Sequence, residues 1–217
     1  MNIIFLGAPG SGKGTQAEML AKELNIPAIS TGEALRKEVE IKSEIGLQAK
    51  SYMESGKLVP DEVVVGIIKS RISKDDCQKG FILDGFPRNI NQAIVLDEML
   101  SSLNKKIDFA FNFEVDEEVL VKRISGRFSC KKCGTVYNRF FKMPKKEGIC
   151  DNCGSNEFES RSDDNEATVK NRLKVYHEST FDLIAFYQKK NLLFKINAVK
   201  ILPLVFEDIL KALKAKS

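Results

Sequence analysis

Short apolar runs alternate along the chain with segments that have the spacing of amphipathic helices. Helices are predicted at 13–24, as a pair from 30 to about 55, from 61, at 91–103, at 116–126, from 163 and at 205–213. Strands are predicted at 2–6, 26–29, 81–83, within 107–115 and at 192–196. Continuous apolar strands separated by helices are typical of a parallel sheet covered on both faces. The pattern therefore predicts an α/β fold with a parallel five-stranded sheet and helices on both sides.

The first signals within this pattern mark where helices begin. Ser30 and Glu33 have the spacing of a capping box, which predicts a helix start at that point. Asp61 is predicted to cap the helix that follows Pro60. Gly46 is predicted to separate the two helices that end near residue 55.

Two segments depart from the alternating pattern and are predicted to be insertions in the core. Residues 30–59 have few large apolar side chains, and residues 127–163 are rich in Cys, Lys, Gly and Asn with little helical periodicity. The core is then expected to comprise residues 1–29, 60–126 and 164–217, with each insertion forming a small subdomain.

Charge and hydropathy exclude several classes of protein. No apolar run approaches the length of a membrane-spanning helix, and the apolar N-terminus lacks the basic segment of a signal peptide. A cytoplasmic location without membrane association is therefore expected. The net charge of +4 is compatible with an anionic ligand without requiring one. His177, the single histidine, is expected to be an ordinary solvated helix position.

A glycine-rich loop lies between the first predicted strand and the first predicted helix. Its sequence is GAPGSGK, residues 7–13. Glycines allow backbone N–H groups to converge on a phosphate, the helix N-terminus adds positive potential, and Lys13 adds a full charge. The strict pattern has Ser or Thr after the lysine, whereas Gly14 and then Thr15 follow here. The loop predicts a nucleotide phosphate site, with the usual hydroxyl ligand of magnesium in doubt.

Four of the five cysteines form two CxxC pairs in the second insertion. Sixteen residues separate the pair Cys130 and Cys133 from the pair Cys150 and Cys153, and a glycine follows each pair. Four thiolates with this spacing can surround a zinc ion, and a site without an open position is structural. Disulfides are the alternative, although a reducing compartment disfavours them. We expect a structural zinc that replaces a hydrophobic core in this segment, and no role for Cys77.

The motifs taken together resemble the adenylate kinase family over nearly the whole chain. GAPGSGKGTQ at 7–16 is similar to the family's phosphate loop, STGEALR at 30–36 to its AMP-side motif with Glu33 where Asp is usual, and FILDGFPR at 81–88 to its signature. RSDDNEAT at 161–168, with Arg172, resembles the end of its lid. The resemblance implies a P-loop kinase fold with a helical AMP-binding insertion at 30–59 and a zinc-binding lid at 127–163.

The resemblance also implies a reaction, ATP + AMP = 2 ADP, and a role for each motif residue. Phosphoryl transfer depends on positioning and on cations around the moving group, and the motifs supply those cations. The implied catalytic residues are Lys13, Asp84, Arg88, Arg123, Arg161 and Arg172. Arg123, Arg161 and Arg172 would lie near the transferred group and Arg36 and Arg88 on the AMP phosphate, while Asp84 would orient the water shell of magnesium. The ATP-binding set is Gly10, Ser11, Gly12, Lys13, Gly14, Thr15, Arg127, Val136, Tyr137 and Lys200. The AMP-binding set is Thr31, Arg36, Lys57, Leu58, Val59, Gly85, Phe86, Pro87, Arg88, Gln92, Arg161 and Arg172.

Within this implied scheme, Arg127, Val136 and Tyr137 would lie over the ATP base, with Lys200 beside it. The family usually has Gly two residues before Lys200, where this chain has Ala198. The expected ligands are ATP, AMP and ADP, with zinc in the lid and magnesium on ATP. Nucleic acid and membranes are not expected partners, and the chain is expected to be a monomer.

Two other functions are compatible with the sequence. A related nucleoside monophosphate kinase could use GTP as donor or UMP or CMP as acceptor, although Thr31 and Gln92 favour AMP. A P-loop regulator with a zinc ribbon could bind nucleic acid, with the lid lysines as contacts. The signature at 81–88 and the arginine set disfavour this second alternative.

Overall fold

A computed structural model describes residues 1–216 of the protein, and its centre is a five-stranded parallel sheet. The strands of this sheet follow the order β2-β3-β1-β4-β8. Ile3 of β1 pairs with Ile82 of β3 on one side and with Phe109 of β4 on the other. The strands are β1 (Asn2–Gly7), β2 (Ala28–Ser30), β3 (Phe81–Asp84), β4 (Phe109–Glu114) and β8 (Leu193–Asn197).

Helices cover both faces of this sheet, as predicted from the alternating pattern. Side chains alternate across a strand, so Ile4 and Leu6 of β1 enter one apolar cluster while Ile3 and Phe5 enter another. The first cluster packs against α4, α5 and α8, and the second against α1 and α9. The helices are α1 (Lys13–Leu24), α2 (Thr31–Glu40), α3 (Glu44–Glu54), α4 (Asp61–Ile72), α5 (Ile90–Ser102), α6 (Glu117–Ser125), α7 (Glu166–Val175), α8 (Asp182–Lys189) and α9 (Leu202–Lys216).

The two predicted insertions contain separate structural units. Helices α2 and α3 pack on each other between β2 and α4. A three-stranded antiparallel sheet lies between α6 and α7, with the order β6-β5-β7. Its strands are β5 (Arg127–Cys130), β6 (Val136–Asn138) and β7 (Phe158–Glu159). Whether these units act as independent subdomains stays a prediction.

Several helix boundaries differ from the prediction. Helix α7 begins at Glu166 and not at 163, because Ser162–Asp164 form a separate 3-10 turn, and α9 begins at Leu202 and not at 205.

The break between α2 and α3 lies at Lys42 and Ser43, where Lys42 has φ of 55° and Ser43 caps α3 through the N–H of Gly46. Gly46 itself lies inside α3. Close packing on α2 requires glycine there, because a Cβ would lie 2.0 Å from the backbone oxygen of Glu38.

Asp61 was also predicted wrongly. It is the first residue of α4, Pro60 holds the cap position, and no side chain caps this helix. The carboxylate of Asp61 instead accepts hydrogen bonds from the start of α5.

No helix within residues 1–216 combines the length and the apolar composition needed to span a membrane.

Candidate functional site

The loop from Gly7 to Gly12 joins the buried strand β1 to the N-terminus of α1. Gly10 and Gly12 have φ of 81° and 94°, a region that side chains disfavour. A Cβ on Gly10 would lie 2.6 Å from Ile124 of α6. The tight loop therefore requires glycine for both conformation and space, and it leaves the first amides of α1 available to an anion.

Lys13 folds back over this loop. Its Nζ donates to the carbonyls of Gly7 and Ala8 at 2.7 and 2.9 Å and to Oγ of Ser11 at 3.2 Å. Burial, reinforced by Arg88 and other arginines and opposed by Asp84, lowers the pKa of Lys13 to about 8. A bound phosphate would add further negative charge beside this ammonium and favour its protonated form.

Asp84 ends β3 beside the same loop. Its Oδ2 lies 3.3 Å from the place where a Cβ on Gly14 would be. Burial raises the pKa of this carboxyl, against the opposing effects of Lys13 and Arg88. Gly14 thus gives Asp84 room beside the phosphate loop, at the carboxyl end of the sheet, where open α/β folds bind ligands.

A cavity of about 730 Å³ opens above these residues and brings most of the predicted site together. The lid sheet, α2, α7 and the loop before α9 all contribute to its walls. The predicted residues that line it are Gly10, Ser11, Gly12, Lys13, Gly14, Thr15, Arg36, Leu58, Asp84, Gly85, Pro87, Arg88, Arg123, Arg127, Val136, Tyr137, Arg161, Arg172 and Lys200.

A smaller cavity of about 60 Å³ shares Arg36, Arg88 and Arg172 with the large one. It has an apolar wall that includes Leu35 and Met53. The remaining predicted AMP-side residues that line it are Thr31, Lys57, Val59 and Gln92. Phe86 lines neither cavity, because its side chain is 1% exposed in the core beneath the site.

Arginines give the large cavity an excess of positive charge. Burial, together with repulsion from neighbouring arginines, lowers the pKa of Arg88 and of Arg161 to about 10. Two buried acids offset part of this charge. Arg127 pairs with Asp164, and Arg172 contacts Asp163 and Asp164 at 3.2 and 3.3 Å. Such an arrangement favours ligands that carry several negative charges.

The backbone of Arg88 is held from both sides. Its N–H donates to Oε1 of Gln92 at 2.7 Å, and its carbonyl accepts from Oγ1 of Thr180 at 2.7 Å. The Nε of Arg88 donates to the carbonyl of Gly85 at 2.8 Å. Sequence reasoning missed Thr180, because it lies in the π-turn Tyr176–Thr180, which no sequence pattern indicated.

The cavity wall formed by the segment 127–163 also holds a residue that the sequence analysis did not name. Phe141 lines the cavity and lies 5.9 Å, ring centroid to guanidinium carbon, from Arg123. Tyr137 was expected over the ATP base, but its ring is 1% exposed and its hydroxyl donates to Sγ of Cys150. Lys200 lines the cavity and pairs with Asp208 at 2.5 Å. The available signal in the sequence was the aromatic pair Phe140 and Phe141 within a largely polar segment. In the structure, Phe141 is exposed and lies outside the small apolar cluster of the lid.

The four lid cysteines converge, with all their Sγ atoms within 4.8 Å of one another. Sγ of Cys130 lies 3.6 Å from that of Cys153, and Sγ of Cys133 lies 3.6 Å from that of Cys150. These separations are too long for disulfides, and all four thiols are free. Sulfurs about 2.3 Å from a zinc ion at the corners of a tetrahedron would be about 3.8 Å apart, so the cluster fits a metal of this kind.

The same backbone turn occurs at both CxxC pairs. Gly134 and Gly154 have φ of 71° and 72°, and each donates its N–H to the carbonyl of the first cysteine of its pair at 2.9 Å. These paired turns point the thiols toward one centre. Among the described residues, the apolar cluster around these cysteines contains three aromatic side chains, those of Phe128, Tyr137 and Phe158. The lid therefore has little apolar core of its own.

Comparison with known proteins gives a consistent result. A family model described as adenylate kinase matches residues 5–192. The chain is 49% identical to an adenylate kinase of Geobacillus sp. (strain WCH70) over 209 residues, which is 96% of each chain. It is 51% identical over 209 residues to the adenylate kinase of Archaeoglobus fulgidus, again 96% of each chain. It is 51% identical over 214 residues to that of Methanosarcina barkeri, 99% of each.

Proposed function

The chain belongs to the adenylate kinase family, and from this premise we propose that it transfers a phosphoryl group reversibly from ATP to AMP, giving two ADP. One observation carries the proposal: a single cavity joins the phosphate loop to the arginines of the AMP-side motif. Two anionic nucleotides can therefore meet there with their phosphates facing each other.

The proposed chemistry consists of positioning and charge stabilisation. The amides of the phosphate loop and Lys13 would hold the phosphates of ATP, while Arg36 and Arg88 would hold the AMP phosphate. Arg161 and Arg172 would stabilise charge on the moving group, since a guanidinium binds two phosphate oxygens at once. An arginine in that position is worth about 10³–10⁵ in rate in other phosphoryl-transfer enzymes.

The base of ATP would lie against the wall that Arg123 and Phe141 form. Their guanidinium-to-ring distance of 5.9 Å places a cation and an aromatic face on the same wall of the cavity. Planar bases stack on both kinds of group. This assignment moves Arg123 from the transferred phosphoryl group, where the sequence analysis expected it, toward the donor base.

Magnesium is proposed to enter with ATP. The donor chemistry fits, because Asp84 is a carboxylate beside the phosphate loop and magnesium retains part of its water shell when proteins bind it. The ion would neutralise phosphate charge. Asp84 would orient its waters, and Lys13 would remain the direct protein cation on the phosphates.

Zinc is proposed to order the segment 127–163, because four converging thiolates leave no position for a water and the segment has little apolar core. We expect this segment and residues 30–59 to close over the nucleotides and exclude water from the transfer. A monomeric state and a cytoplasmic location remain expectations.

A coupled assay of nucleoside diphosphate formation tests the proposal. Donors ATP and GTP are combined in turn with the acceptors AMP, UMP, CMP and GMP, using purified protein. The highest kcat/KM is expected for ATP with AMP. A preference for another pair would identify a related nucleoside monophosphate kinase. Slow ATP hydrolysis that AMP does not stimulate, with salt-dependent RNA binding, would instead favour the P-loop regulator.

A further inference from the structure

The carboxylate of Asp61 collects amide donors from the neighbouring helix. It accepts from Nδ2 of Asn89 at 2.9 Å, Nδ2 of Asn91 at 3.0 Å and Nε2 of Gln92 at 2.6 Å. Burial opposes ionisation, but the three amide donors outweigh it and lower the pKa of Asp61. The first turn of α4 also favours a negative charge at this position. Asp61 is therefore a carboxylate at neutral pH and can only accept hydrogen bonds.

The side-chain amide of Gln92 lies between a group that can only donate a hydrogen bond and a group that can only accept one. Asp61 accepts, so the amide nitrogen of Gln92 must face it. The N–H of Arg88 donates, so the amide oxygen of Gln92 must face Arg88 at 2.7 Å. A flipped amide would place a donor against a donor and an acceptor against an acceptor. The two partners thus fix the orientation of an amide that could otherwise rotate.

The fixed amide keeps part of its hydrogen-bonding capacity. An amide oxygen accepts twice and an amide nitrogen donates twice, so one acceptor position and one N–H remain after these two bonds. Gln92 lines the small cavity beside Thr31, Leu35 and Val59. A base in this cavity would meet an acceptor and a donor in an order that the protein has set.

From this network we propose that Asp61 is a positioning residue that sets the amide orientation of Gln92 and thereby selects adenine over 6-oxopurines at the acceptor site. Adenine presents an amino donor next to a ring-nitrogen acceptor, whereas a 6-oxopurine presents a carbonyl acceptor next to an N–H donor. A fixed amide complements one order and opposes the other. The inference rests on the proposed function, because it takes AMP as the acceptor and the small cavity as the site of its base.

The test compares three variants with the wild-type enzyme. Asp61→Leu keeps the approximate size and removes every acceptor, while Asp61→Asn keeps one oxygen that can accept from Gln92. Asn91→Ala is the matched control, because Asn91 is exposed, donates to the same carboxylate and lines neither cavity. For each protein, kcat and KM are measured for ATP and AMP, and the inhibition constant of IMP is measured against AMP.

In Asp61→Leu, kcat/KM for AMP is expected to fall by about 10- to 100-fold, the range for an unpaired or misdirected hydrogen bond. IMP should bind as well as or better than to the wild type, and the KM for ATP should stay the same. Asp61→Asn should recover most of the selectivity, and Asn91→Ala should match the wild type.

The inference is overturned if AMP and IMP weaken equally in Asp61→Leu, or if the KM for ATP rises with that for AMP, since both results indicate a general structural role. Unchanged selectivity in this variant also overturns it. Wild-type enzyme that does not use AMP at all would instead refute the proposed function, so the two failures are distinguishable.

Discussion

Arg127 lies across the carboxylate of Asp164, donating from Nε at 2.7 Å and from Nη2 at 2.5 Å. The Asp164 side chain is 4% exposed, and Arg172 contacts the same carboxylate at 3.3 Å. One buried acid thus offsets the charge of two arginines that line the cavity, Arg127 and Arg172. The site keeps its arginines in place by partly neutralising them.

Replacing Asp164 should make the protein less stable when no nucleotide is bound. Nucleotide binding should then raise its thermal stability more than it does in the wild type. Asp164→Asn is expected to lower the free energy of unfolding by about 3–5 kcal/mol, the usual cost of leaving buried charges without a partner. A bisubstrate compound of two adenosines joined by a polyphosphate should then raise the thermal midpoint more than it does in the wild type, because its phosphates supply the missing negative charge.

Thermal unfolding with and without the bisubstrate compound measures both effects. Glu166→Gln is the matched control, since Glu166 pairs only at the exposed surface with Lys170. An equal shift of the midpoint in Asp164→Asn and wild type would show that Asp164 does not balance the phosphate-binding charges.

Lys13 gives a prediction for the pH dependence of ATP binding. Burial is the main cause that lowers its pKa to about 8. A phosphate favours the ammonium form and raises this pKa, so ATP binding should take up a proton once the pH exceeds about 8. ATP affinity should therefore fall by up to about tenfold per pH unit from 8 toward 10, where free lysine titrates. Calorimetry in buffers with different ionisation enthalpies measures the uptake.

Lys13→Arg provides the control for this titration, because a guanidinium does not deprotonate in the same range. Its ATP affinity should be flat from pH 8 to 10, even if weaker overall. Lys13→Met should abolish turnover. Retained turnover in Lys13→Met would exclude the phosphate-loop assignment.

Asp84→Asn separates the metal role from acceptor binding. The substitution preserves size and removes the charge proposed to orient magnesium waters. We expect kcat to fall by about 10² or more, the cost of misplacing a reacting group, with little change in the KM for AMP. Titration of magnesium at fixed ATP should show a higher requirement. Equal losses in kcat and in AMP affinity would indicate that Asp84 supports the fold of the site instead.

The lid cysteines allow a test that does not depend on turnover. Cys150→Ser, or a strong chelator, should release zinc and lower the thermal midpoint, because the cluster stands in for an apolar core. Zinc release is read with a metal-binding dye during thiol titration. Cys77→Ser, which lies buried outside the lid, should leave the zinc content unchanged. A protein without zinc whose lid and midpoint were unaffected would refute the structural role.

The sequence predicted what depends on local periodicity and short motifs. The five strands, the phosphate loop and the spacing of Cys130 and Cys150 belong to this class, since each is set by neighbouring residues. The roles of Asp61, Thr180 and Phe141 depend on elements distant in the chain. Aspartate before a helix is a common cap residue, so the sequence alone predicts that role for Asp61. Only the packing of α4 on α5 brings its carboxylate to Gln92. The residue pattern along the chain does not distinguish a helix cap from an acceptor for a side chain on another helix.

Phe141 provides the clearest test of the donor-base site. Its exposed ring faces Arg123 and lines the large cavity. The adjacent Phe140 is also exposed but lines neither the large nor the small cavity. Phe141→Leu keeps an apolar contact but removes the aromatic face, which is worth about 1–3 kcal/mol per stacked base. The KM for ATP should rise by about 5- to 20-fold, with kcat and the KM for AMP almost unchanged. Phe140→Leu should behave as wild type in the same steady-state assay. If Phe141→Leu lowers only kcat, the ring acts near the transferred phosphoryl group. If both substitutions have equal effects, the change in KM comes from a general change in the lid surface and not from base stacking.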